Sequence, residues 1–220
     1  MNLLHAAAPF EWSVLGWLAI APFAVRSLQR IRRGAALRPA QQHLWLAGIV
    51  LLAGLWAVQA GAAGGAAFGL LGAALYSVVF GRDWARLGLM AAVVLHALLG
   101  GGSWASAGLI GLLLAVVPTL LAGVLQRQIE RRLAHNVFIF IIGNGLFVTL
   151  AVTAATSVLL VAVGTWLHLG VHPADQLGYA LLLAWGEALA SGMLFSALVI
   201  FGPDLVRTYR QDLYLPPRRL

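Results

Sequence analysis

Glu187 stands alone as the one carboxylate in the apolar run YALLLAWGEALASGMLFSALVIF, from Tyr179 to Phe201. If that run enters lipid near Leu177, Glu187 lies roughly 15 Å in, close to the middle of a hydrocarbon core about 30 Å thick. An acid at that depth holds a cation, carries a proton, or is protonated and bonded to a neighbouring helix. Ala180, Ala184, Ala188 and Ser191 share its helical face, so a second helix can approach closely there and leave a small polar pocket. Asn144, in IFIIGNGLFV, can reach a similar depth and either bind cargo or bond between helices. Gly145, Thr149, Thr153 and Ser157 extend a small, polar stripe along the same run. Imidazoles supply the transition-metal chemistry. His96 closes the run VVLHALLGGG, and His5 lies near the amine of Met1, so Met1, His5 and His96 are candidate nitrogen ligands. His168 and His172, four apart, would share a face if their segment were helical, although Pro173 weakens that geometry.

Other chemistry is not visible. There is no Walker A sequence, HExxH, nucleophile elbow or dinucleotide fingerprint, so no enzymatic activity is assigned. The chain has no cysteine, which excludes disulfides, thiolate metal sites and cysteine nucleophiles. All fourteen basic residues are arginine, and the net charge is +7. In a chain that is 61% hydrophobic with mean hydropathy +0.91, those arginines set membrane orientation rather than bind nucleic acid. The start, MNLLHAAAPFEW, lacks a basic n-region, so Met1 is expected to persist.

The elements that must position these groups are helices in a bilayer. Residues 1–220 read as a single all-α integral membrane domain, a polytopic transmembrane helical bundle. Its seven apolar runs lie at about 10–25, 44–60, 66–80, 84–99, 104–125, 137–167 and 177–201. Arginines follow the first, third, fifth and seventh runs. Seven spans with the N-terminus outside and the C-terminus cytoplasmic place them all on the inner face. The cluster from Gly61 to Gly65 divides what would otherwise be one helix of about 55 Å. The expected location is the cell inner (plasma) membrane.

The stretch from Phe68 to Pro118, FGLLGAALYSVVFGRDWARLGLMAAVVLHALLGGGSWASAGLIGLLLAVVP, resembles the membrane permease of energy-coupling-factor transporters for cobalt and nickel. HNVFIFIIGNGLF from His135 and EALASGMLFSALVIFGPDLVRTYRQDLYL from Glu187 resemble a shorter branch of that family. The resemblance covers roughly residues 60–215. It implies a substrate-capturing subunit of six or seven helices that takes a divalent metal, Co2+ or Ni2+, from outside as cargo. It also implies a transmembrane coupling subunit and a pair of cytoplasmic ATPases as partners, with no permanently bound cofactor. Metal-binding members begin Met-His, whereas position two here is Asn2, and a histidine before the third span is replaced by the residues around Ala62 to Gly65. Glu187, Asn144 and His96 are then expected to line the substrate route. The alternatives are a stand-alone or proton-linked transporter, and a non-transporting subunit of a membrane complex.

Overall fold

A computed structural model of the chain describes residues 10–34, 36–61, 72–100, 103–133, 136–168 and 173–209. Helix is the only regular structure among them. The helices are α1 (Phe10–Arg33), α2 (Pro39–Gly61), α3 (Ala73–Phe80), α4 (Arg82–Leu98), α5 (Trp104–Arg132), α6 (Val137–Trp166) and α7 (Pro173–Phe201). A single 3-10 turn, Pro203–Leu205, follows.

The helices outrun the apolar stretches that mark them. α1 continues from Val25 to Arg33 and α5 from Leu125 to Arg132. Arginine is a good helix former whose stem lies along apolar surface, so the hydropathy run stops at the charge while the backbone carries on. Four of the described helices are long and apolar enough to cross a bilayer: Pro39–Ala57, Trp104–Arg132, Val137–Trp166 and Gln176–Phe201. Of the third expected run, 66–80, the described helix covers Ala73–Phe80, whose eight residues rise about 12 Å; residues 66–71 lie outside the described ones.

Glycines set two of the closest helix crossings. α1 packs on the first half of α5 with Gly16 against Gly108; a Cβ on Gly16 would stand 2.4 Å from the backbone nitrogen of Leu109, and one on Gly108 2.6 Å from that of Trp17. α6 meets α7 where a Cβ on Gly145 would lie 3.3 Å from the Cα of Gly192. Small residues therefore serve internal packing in these pairs. Both long central helices also contain a π-helical stretch, at Leu112–Val116 in α5 and Ile141–Val148 in α6. Pro118 accounts for the first, since its ring displaces the carbonyl four residues back.

The two ends of the bundle differ. At one end Arg30 of α1 lies 3.5 Å from Asp83 of α4, and Arg38, before α2, pairs with Asp204, beyond α7, at 2.5 Å. At the other, Trp12 near the start of α1 stacks edge-on against Trp166 at the end of α6, with ring centroids 4.7 Å apart. Arg82 and Arg86 lie inside α4. Gly81 alone connects α3 to α4, at φ 77, leaving no room for a loop. Arg86 is only 2% exposed. Its Nε donates to Thr119 Oγ1 and its Nη1 to Ser27 Oγ, both at 3.1 Å, and its guanidinium lies 5.5 Å from the ring of Phe23.

Candidate functional site

Glu187 lies at the middle of α7, 2% exposed, and the small face predicted around it is buried: Ala180, Ala184, Ala188 and Ser191 are all inside. Its Oε1 accepts the backbone N–H of Gly72 at 2.9 Å. Gly72 is the residue before α3 and stands at φ 64, a left-handed conformation that glycine adopts without strain. The carboxylate thus caps the N-terminus of a half-length helix in the interior of the bundle, where the helix dipole favours negative charge. The opposite end of α3 is also satisfied. Arg207 N–H donates to Val79 O at 2.9 Å, the Arg207 guanidinium to Phe80 O at 3.3 Å, and the Thr208 hydroxyl to Val78 O. A helix too short to cross lipid is held at both ends by α7 and the segment that follows it, which meets the requirement that backbone polar groups inside a bilayer find protein partners.

Glu187 also borders a groove of about 310 Å³ between α2, α3 and α7. The groove is otherwise apolar except for Tyr76 and Ser191, and its other lining includes Leu44, Leu51 and Leu198.

Asn144 falls within the π-helical stretch of α6. Its Nδ2 donates to the carbonyl of Phe140, four residues back, at 3.1 Å, while Oδ1 is buried with no partner among the described residues. Thr149, Thr153 and Thr156 follow on the same helix, all buried, and none of their hydroxyls has a partner among the described residues. The widened turn brings residues five apart into line, so Asn144 and Thr149 share a face that a regular α-helix would separate. Thr165, by contrast, donates to Val161 O of its own helix at 2.8 Å.

His96 occupies the last turn of α4, 3% exposed, edge-on to Trp56 of α2 at 6.3 Å between centroids. It lies near the same end of the bundle as the start of α1, because α4 ends at Leu98, α5 begins at Trp104, and Gly16 crosses Gly108 there. Met1 and His5 lie outside the described residues. His168 stands past the end of α6 at φ 51 and so does not continue that helix; His172 lies outside the described residues. Among the described residues no three of His, Cys, Asp and Glu gather into a metal cluster.

The structure therefore sets Glu187, Asn144 and His96 on three separate helices, in the interior of one bundle. Two residues that matter for this interior carry no sequence signal of chemistry. Gly72 acts through its backbone N–H alone, and the clue would have been a glycine just before a short apolar helix. Trp56, fully buried against His96, reads in sequence as one more apolar residue.

Apolar helices longer than a bilayer core, outward-facing Leu182, Met193 and Phe201, and charges gathered at one end define a polytopic helical membrane protein. Residues 6–205 match the model of the CbiM family, the cobalt uptake substrate-specific transmembrane region. The chain belongs to that family, whose members are membrane components of cobalt uptake. No curated protein and no solved structure matches it.

Proposed function

We propose that the chain captures a transition-metal cation, Co2+ first and Ni2+ second, as the substrate-binding membrane subunit of an energy-coupling-factor-type transporter. The observation that carries this reading is the family match over residues 6–205. The fold agrees with it: among the described residues no element outside the bundle resembles an ATPase, and in this reading energy comes from partner subunits. Those partners are a transmembrane coupling subunit and cytoplasmic ATPases, and the setting is the inner (plasma) membrane. Seven spans place the arginine end on the cytoplasmic side and the His96 end outside, since arginine is retained on the inner face.

Cargo then meets nitrogen donors first. Met1 through its amine, His5 and His96 suit cobalt and nickel, and His96 stands at the end of the bundle from which α1 begins. Asn144 and Glu187 lie deeper and complete the substrate route as oxygen donors. Glu187 does so while holding Gly72, so any cargo that takes its carboxylate loosens α3 at its N-terminus. That link gives cargo a route from the interior of the bundle to residues 207–208 at the arginine end.

The test is metal titration of the full chain in detergent with an untagged N-terminus, against nickel, cobalt, copper and zinc. Saturable cobalt binding in the wild type, weakened at least about tenfold in His96→Ala, supports the reading. Binding of none of the four metals removes the metal assignment.

A further inference from the structure

At the arginine end, charged and amide side chains that are not matched to one another line one small cavity. Arg82 and Asp83 at the start of α4, and Gly123, Gln126, Arg127 and Glu130 of α5, enclose about 210 Å³. Asp83 is shared by Arg30 at 3.5 Å and Arg82 at 3.9 Å. The remaining groups are not matched to one another. The Nε of Arg127 donates only to the carbonyl of Gly123, at 2.8 Å, and neither Arg127 nor Glu130 forms an ion pair among the described residues. The Nε2 of Gln126 is buried with no hydrogen-bond partner among the described residues. A buried amide donor without an acceptor is destabilising, so an acceptor that fills the cavity is favoured.

The depth of the cavity is marked by tryptophan. Trp84, two residues after Arg82, packs edge-on against Trp45 with centroids 5.7 Å apart, and the Trp45 indole N–H donates to Trp84 O at 3.0 Å. Tryptophan at the ends of apolar helices sits at headgroup level, and basic pockets between helices at that level take lipid headgroups. This cavity is not simply basic, however. Two guanidiniums and an amide donor suit a phosphodiester, while Glu130, with no cation of its own, suits an ammonium group a few ångströms away. We propose that it binds the headgroup of a zwitterionic aminophospholipid, with the phosphate on Arg82, Arg127 and Gln126 and the primary ammonium on Glu130. A quaternary ammonium has no N–H to donate and a glycerol headgroup has no cation, so both should bind less well.

The chemistry is tested on the full chain in detergent by native mass spectrometry, offering phosphatidylethanolamine, phosphatidylcholine and phosphatidylglycerol with matched acyl chains. The wild type should retain phosphatidylethanolamine about fivefold over phosphatidylcholine, the scale of one exposed ion pair. Glu130→Gln should erase that preference while leaving phosphatidylglycerol retention unchanged or raised. Arg127→Gln should weaken all three. Gly123→Leu, which fills the cavity without changing charge, should weaken all three as well, and it decides the matter if Glu130→Gln lowers the melting temperature. Equal retention of the three lipids by the wild type overturns the proposal and leaves the cavity to a charged side chain of a protein partner. Preference for phosphatidylglycerol, or a phosphatidylethanolamine preference that survives Glu130→Gln, overturns it in favour of a purely anionic ligand.

Discussion

Glu187 shows how one side chain can be needed by the fold at the same place where cargo chemistry is sought. Its carboxylate is the acceptor for the Gly72 N–H, so Glu187→Ala leaves a backbone donor unpaired in the interior and should cost about 1–3 kcal/mol. Glu187→Gln keeps a side-chain oxygen and should cost less than the alanine variant. Thermal unfolding in detergent distinguishes the two, and equal melting temperatures for Ala and Gln would show that the bond to Gly72 contributes nothing. The threonines of α6 make the opposite prediction. Thr153 buries a hydroxyl with no partner among the described residues, so Thr153→Val, which keeps the shape, should be neutral or stabilising by up to about 1 kcal/mol. A marked loss of stability would mean that water or an ion bonds there. Of these side chains, Glu187, Asn144 and His96 were legible in sequence because a polar group in a long apolar run is conspicuous. Gly72 and Trp56 were not, because what they contribute is a backbone N–H and a ring edge, and neither announces a partner.

At the scale of elements, helix crossings rest on where a glycine has no room. Gly16→Ala places a methyl group 2.4 Å from the α5 backbone, which cannot yield as a flexible side chain would. The expected cost is about 1–3 kcal/mol or more, seen as a lower melting temperature in detergent. Gly54, also in a helix, has nothing within 4 Å of an added Cβ, and Gly54→Ala should be neutral or stabilising by about 0.5–1 kcal/mol. If both variants behaved alike, the α1–α5 crossing would not be close in solution. The helical runs themselves were readable from hydropathy, but their ends were not. Arginines that terminate an apolar stretch extend the helix, and the glycine at 81 replaces a loop with a single residue. What holds the ends of α3 was not readable either, because the bonds come from Glu187 and from residues 207–208, far along the chain.

For the molecule as a whole, the ion pairs Arg30–Asp83 and Arg38–Asp204 gather charge at one end, and Trp12 with Trp166 marks the other. The absence of cysteine makes the orientation directly measurable. In intact cells, Arg131→Cys should be shielded from a membrane-impermeant maleimide and Leu99→Cys should react. Reaction of Arg131→Cys alone would invert the proposed topology.

Composition and hydropathy together pointed to a helical membrane protein, because long apolar runs with most of the charge between them satisfy their backbone in lipid as helices. Family-like patterns in residues 60–215 pointed to metal uptake, and the match over 6–205 agrees with that direction. Tertiary structure decided what the polar residues touch. Glu187 meets a backbone N–H 115 positions away, Arg86 meets Ser27 and Thr119 instead of water, and the carbonyls of α3 meet a segment beyond α7. The physical reason is common to all three. A buried polar group is stabilised by a partner that lipid does not supply, so for these three it comes from whichever distant segment the packing brings alongside.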